Sequence, residues 1–346
     1  MQPLFSTIRF WFSQKTIWIP ALIFFMIGLA FTFYAFSDTT YTQRRRIISS
    51  NPILLSYPLP EKVIFCGEEV PLEDDYDVRE RLDKEITIAV YNHSSTILAI
   101  KKANRWKEEM MTILKSEGVP EDFFYLMIAE SGVSNVTSNR GAKGYWQFIP
   151  MTAKQYRLEI SDFVDMRNDP IASTYAACKY LKDAYKKFGN WTAVAASYNM
   201  GMGGINRQMV NQKSSNYYDL WLNQETSRYL FRIIALKTLM TQPELYGYKI
   251  MKGDLYDPIP FSTVTVTTNI PDLVTFAYEQ GTNLKHLKLM NPWLLKESLP
   301  VAAGKSYTLR IPKQNWMRRL IPIDLIPITD TIPSPDQPDA PTRDLE

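Results

Sequence analysis

Histidine and cysteine are scarce in this chain. The two histidines, His93 and His286, stand far apart among 346 residues. Neither sits in a Cys/His/Asp cluster at ligand spacing, which argues against a zinc site and against a Ser-His-Asp triad. The two cysteines, Cys66 and Cys178, leave a disulfide open. However, Cys178 falls on the apolar stripe of a predicted helix, where a buried thiol fits better. Phosphate-binding glycine motifs are absent. Gly201-Met202-Gly203-Gly204 lacks the preceding strand and following lysine that such a loop needs. The formal charge is only +3 with no dense basic stripe, which argues against nucleic acid. Apolar residues are not scarce: at 45% they suffice for a sizeable core in two or three ordered regions.

The run Ile17 to Phe36 is uncharged and apolar, and about 20 such residues span a bilayer as a helix. A signal peptide is the alternative, with Ala35-Phe36-Ser37 as a tolerable cleavage site. Against it, the preceding segment is long for an n-region and the run exceeds the usual ~7–15 apolar residues. Arg9 and Lys15 before the run, and Arg44, Arg45 and Arg46 after it, leave orientation undecided by charge. Cys66 lies too far from the run to be a lipidated N-terminal cysteine. A polar linker with Pro52, Pro58 and Pro60 follows.

The middle of the chain reads as helical. Ile86 to Tyr91 fits a strand or the start of a helix, and Ala99 to Lys115 is amphipathic and helical. Pro120 is expected to open the next helix at its first turn, beside Glu121 and Asp122. That helix is apolar through Ala129 and is stopped by Gly132, which leaves Glu130 at its C-terminal end. The macrodipole is negative there and apolar neighbours withhold water, so the carboxyl pKa is expected to rise. A carboxylic acid still protonated near neutral pH suits general acid catalysis. An ordinary surface glutamate near a helix end is the plain alternative. Gly141 to Gly144 reads as a turn, Tyr145 to Phe148 as short and extended, and Pro150 as a helix start. Asp169-Pro170 opens a helix ended by Gly189. Asn190 caps a helix from Trp191, and a further helix runs from about Glu225 to Met240.

After residue 250 the composition shifts. Thr263 to Thr268 alternates like a strand. Pro271 to Gln280 and Leu284 to Met290 read as short helices, and Tyr307 to Pro312 as a second strand. From Lys313 the chain turns rich in Pro and Asp and reads as disordered.

Four motifs stand in order within the helical block: Glu130-Ser131, Gly144-Tyr145-Trp146-Gln147, Ser197-Tyr198-Asn199-Met200-Gly201, and Glu225-Thr226 with Tyr229. In order and spacing they resemble the lytic transglycosylase family with a goose-lysozyme-like fold, over about 120 residues, and within it the membrane-bound lytic murein transglycosylase D group. That family has Leu-Met where Tyr145-Trp146 stands and Ala where Ser197 stands; neither departure touches the acid. Ile270 to Ala277, Asn291-Pro292 and Tyr307 to Pro312 resemble a LysM module, a small peptidoglycan-binding βααβ unit. The usual Gly-Asp before its first helix is absent, so the module is degenerate.

The resemblance, together with the apolar run and the composition read above, implies a mainly α protein: a lysozyme-like helical catalytic domain, a small βααβ LysM-like module and one N-terminal transmembrane helix. In residues this is a cytoplasmic N-terminus (1–16), a transmembrane anchor (17–36), a linker (37–60), an N-terminal helical extension (61–110), a lytic transglycosylase domain (111–250), the LysM-like module (258–312) and a disordered tail (313–346). It implies an inner-membrane protein with its catalytic domain in the periplasm, acting on peptidoglycan glycan strands, with no metal or organic cofactor. Glu130 becomes the acid/base. Ser131 shares its motif and Ser138 matches a serine near the acid, while Gln147 and Asn199 match polar groups lining the groove. Tyr198 matches a tyrosine whose hydroxyl lies close to the acid, and Glu225 and Tyr229 match the helix that closes the cleft.

Glycosidases normally need a second carboxylate, and Asp162, Asp165 and Asp169 look like capping or loop residues. A one-acid reaction therefore fits better, in which the substrate's own C6 hydroxyl attacks and 1,6-anhydromuramyl sugar forms. The rivals are a hydrolytic muramidase of the same fold and a non-catalytic peptidoglycan-binding scaffold.

Overall fold

A computed structural model describes residues 56–313. The apolar run 17–36, its flanks and the tail from 314 lie outside the described residues. Among the described residues no helix is long and apolar enough to cross a membrane.

The described residues open on a small antiparallel hairpin, β1 (Ile64–Phe65) and β2 (Glu68–Glu69). Helix α1 (Tyr76–Tyr91) follows, capped by the Asp75 carboxylate on two backbone N–H groups. The ambiguous stretch 86–91 is therefore helix. The reason is spacing: Val78, Leu82, Ile86 and Val90 are buried at every fourth position, while Ile88, which a strand would place on the same face as Ile86, is exposed. Helix α2 (His93–Ser116) is longer than its predicted core.

Helix α3 (Phe123–Ser131) begins at Phe123, not at Pro120, which lies in the preceding turn. Every side chain from Phe123 to Ile128 is buried, so this short helix has no polar face and runs through the core. It ends at Gly132 with φ 56°, a left-handed conformation glycine adopts cheaply. Residues 145–147 form a turn, correcting the extended reading. Lys143 bridges both Thr137 and Phe148, and a turn must close for Phe148 to reach back.

Next come α4 (Pro150–Gln155) and α5 (Pro170–Phe188). The Asp169 carboxylate accepts from Ile171 and Ala172 N–H at 2.8 and 2.7 Å at the α5 start. Helix α6 (Trp191–Met200) is small-residued and buried from Thr192 to Ser197, which lets α5, α7 (Met202–Gln212) and α8 (Gln224–Thr241) pack around it. Helix α8 also packs on α1 and α3. One hydrophobic core joins all of these. Both cysteines are free, and Cys178 lies fully buried on α5.

The C-terminal part has its own core. Strand β3 (Phe261–Val266) pairs antiparallel with β4 (Tyr307–Pro312), in register from Phe261 opposite Pro312 to Val266 opposite Tyr307. Between them lie α9 (Leu273–Glu279) and α10 (Leu284–Met290). Leu273, Leu287, Trp293, Leu299 and Leu309 fill this core, and Val164 from the segment between α4 and α5 joins them.

Candidate active site

Glu130 lies on the last turn of α3, in the wall of a cleft of about 750 Å³. The same cleft is lined by Ser138, Gln147, Tyr198, Asn199 and Glu225. Helices α3, α6 and α8 and the loop 138–147 thus bring six of the eight candidate residues to one hollow. Burial raises the Glu130 carboxyl pKa above the ordinary value, and the nearby Glu225 charge adds to it. The Tyr229 hydrogen bond and the Arg232 charge oppose the rise without cancelling it. The helix-end position marks the spot, but loss of water is the main cause.

The tyrosine on the acid is Tyr229. Its hydroxyl donates to Glu130 Oε1, from a side chain only 1% exposed on α8. The Tyr198 hydroxyl instead donates to the Trp146 carbonyl at 2.8 Å, although Tyr198 lies near enough to feel the Glu130 charge. Burial first and that charge second hold both phenols protonated, with pKa values well above 10. Ring edges of Phe148 and Tyr180 pack against Tyr198, with centroids 6.1 and 5.1 Å away.

Asn199 links α6 to the start of α8. Its amide donates to Glu225 Oε1 at 3.0 Å and its carbonyl accepts from Thr226 Oγ1 at 2.8 Å. Glu225 is therefore a second carboxylate in the cleft. The Gln147 amide donates to the carbonyls of Val136 and Gly144 at 3.0 and 2.7 Å, fixing it to the turn that carries it. Its φ of 50° is uncommon for a residue with a side chain. The Ser138 hydroxyl accepts from Ala142 N–H at 3.0 Å and steadies the same loop. Ser131 does not line the cleft. It is buried, and its hydroxyl donates back to Met127 O at 3.1 Å in its own helix.

Three features lie outside the sequence motifs. Arg140 and Met202 line the cleft. Arg232, one turn past Tyr229, stands over that ring at 5.4 Å. The spacing of Glu225, Tyr229 and Arg232 along α8, four residues and then three, keeps them on one helix face and was a usable signal for Arg232; nothing local marks Arg140 or Met202. Among the described residues no cluster of His, Cys, Asp or Glu is arranged to hold a metal ion.

A half-buried acid at the end of a buried helix, facing a cleft closed by a second helix, fits a lysozyme-like helical domain. Comparison with known proteins agrees. Residues 108–220 match the transglycosylase SLT domain, and 262–315 match the soluble lytic transglycosylase C-terminal LysM-like domain. The chain thus carries an SLT transglycosylase domain and a LysM-like C-terminal domain. It is homologous to membrane-bound lytic murein transglycosylase D of Escherichia coli (strain K12), with 28% identity over 260 residues. That alignment covers 72% of this chain and 55% of the relative, so the chain spans about half the length of that protein. A protein named for tributyltin chloride resistance, from Alteromonas sp. (strain M-1), is 28% identical over 127 residues, 36% of this chain and 61% of that one. An inactive mutant of the lytic transglycosylase Slt from Pseudomonas aeruginosa superposes over 43% of this chain and 26% of its own, at 17% identity. Its TM-score of 0.31 is too low to define a common fold.

Proposed function

We propose that this chain is a peptidoglycan lytic transglycosylase that cuts the β-1,4 bond between N-acetylmuramic acid and N-acetylglucosamine, with Glu130 as single general acid and base. The observation that carries this is the Glu130 carboxyl, whose pKa is raised by burial in a cleft and whose Oε1 accepts from the Tyr229 hydroxyl. In this reading Glu130 protonates the glycosidic oxygen while the substrate N-acetyl group steadies the positive ring. Glu130, now a base, takes the proton from the muramyl C6 hydroxyl, which attacks C1. The product is 1,6-anhydromuramic acid and no water is consumed. Gln147, Ser138, Asn199 and Tyr198 bind the sugars along the cleft, and no cofactor takes part.

The proposal extends to the whole chain: 17–36 as a single-pass anchor in the inner membrane, 37–60 as a linker, 61–110 as an extension, 111–250 as the catalytic domain in the periplasm, and 258–312 as the LysM-like module.

Glu225 supports a second reading, hydrolysis, since a second carboxylate lies in the same cleft. Digestion of purified peptidoglycan with mass analysis separates the two. Anhydro ends, lighter by one water than reducing ends, support the transglycosylase; reducing ends alone sink it. Glu130→Gln should fold and abolish cleavage. General acid catalysis is worth ~10²–10⁴-fold, and retention of more than about a tenth of wild-type turnover refutes the role.

A further inference from the structure

We propose that the LysM-like module braces one wall of the cleft, and that Arg167 is the positioning residue through which it does so. The inference rests on the reading of the cleft as the glycan site.

The path runs through the segment between α4 and α5. Its far side enters the module. Val164 is 1% exposed inside the module core. Asp165 N–H donates to Trp293 O at 3.0 Å, and Leu295 N–H donates to Phe163 O at 2.9 Å. These two backbone bonds close one antiparallel bridge, Val164 opposite Leu294, around a buried valine, which makes a docked edge. Glu159 adds an ion pair to Lys305 at 2.6 Å and accepts from the Tyr307 hydroxyl at 2.9 Å.

The near side of the segment holds the cleft wall. The Asp165 carboxylate grips the Arg167 guanidinium with two bonds, 2.9 and 2.8 Å. Arg167 Nη1 then donates to the carbonyls of Gly141 and Phe148 at 2.9 and 3.1 Å, the two ends of the turn that carries Gln147. Arg167 is 5% exposed and Asp165 2%, so this is a desolvated clamp whose geometry matters. The Arg167 main chain lies flat against Gly144, leaving no room there for a Cβ. Gln147 needs such support, because a left-handed backbone at a non-glycine persists only where the surroundings over-determine it. The module thus fixes Asp165, Asp165 fixes Arg167, and Arg167 fixes the wall.

The test uses the full chain. Val164→Asp puts a charge into the module core and releases the docked edge, Val164→Ile keeps the apolar plug, and Arg167→Lys keeps the charge on Asp165 but loses the planar fork. Hydrogen exchange is followed at the amides of Lys143, Gly144 and Gln147 and, as control, along α8. Kinetics on isolated glycan strands give kcat and KM. The proposal expects Val164→Asp and Arg167→Lys to speed exchange in the turn and leave α8 unchanged. Since misplacement by about 1 Å costs up to ~10²-fold, kcat should fall by about that order while KM moves much less. Val164→Ile should behave as wild type. Wild-type protection of the turn in both damaging variants overturns the brace. If Val164→Asp fails to fold, Arg167→Lys decides alone by the same readouts. Exchange needs no substrate, so a wild-type chain that cleaves no glycan yet loosens its turn in these variants overturns the functional reading and supports the brace.

Discussion

Glu130 makes two measurable demands. Its folded pKa is raised, chiefly by burial. The native state therefore binds a proton that the unfolded state has already released, and stability falls as pH rises from the ordinary carboxylate range toward the raised value. Glu130→Gln removes the ionisation, so its Tm should exceed wild type at neutral pH. The gap should close as pH falls below the ordinary carboxylate range. A gap that widens on acidification contradicts the burial account. Tyr229→Phe tests the partner. The hydroxyl favours the charged carboxylate, so without it the Glu130 pKa climbs further and the alkaline limb of the pH–rate profile shifts up, while lost orientation lowers kcat. A limb that stays in place removes Tyr229 from the site. The place of Glu130 at a helix end and the direction of its pKa shift were legible, because an apolar run ended by glycine leaves one carboxylate exposed to both effects. Its tyrosine was not: Tyr198 and Tyr229 both sit on cleft helices, and only the packing of α6 against α8 decides which hydroxyl reaches it.

The glycine turn sets what each element tolerates. Gly141 and Gly144 both have φ near 80°, at 77° and 79°. A Cβ at Gly141 meets nothing, whereas one at Gly144 overlaps the Arg167 carbonyl. Gly141→Ala should cost about 1–2 kcal/mol from the backbone alone, and Gly144→Ala on the order of 3 kcal/mol or more. Equal losses in chemical denaturation would show that the contact with Arg167 contributes nothing. At the start of α5, Asp169→Ala should cost ~0.5–2 kcal/mol through two lost cap bonds, read from the same denaturation curves. Capped elements such as α5 and α6 were legible because Asp169-Pro170, Asn190 and Gly189 announce their ends. Helix α7 was not. It contains Gly203 and Gly204, buries only Ile205, and forms because it packs on α6. The turn at 145–147 was misread because its cause is a contact with residues 137 and 143, not a local preference.

For the whole molecule, the order of strand, two helices and strand after residue 260 was readable from composition and period. The docking of that unit through residues 163–165 was not, since backbone bonds between distant segments leave no periodic trace. The proposed topology is checked by fusing compartment-specific reporters after residue 60: periplasmic activity is expected, and cytoplasmic activity reverses the orientation. Cys178 offers a different use of the same architecture. It is fully buried on α5 beside Tyr198, and burial pushes its thiol pKa up to about 12. Alkylating reagents attack thiolates, so in the closed protein this sulfur is inert. It reacts only when the helices part, which makes its labelling rate a stopwatch for local opening. A sugar chain bound on the other side of Tyr198 should slow that stopwatch, so occupancy of the cleft can be timed in the intact protein by mass, one sulfur at a time.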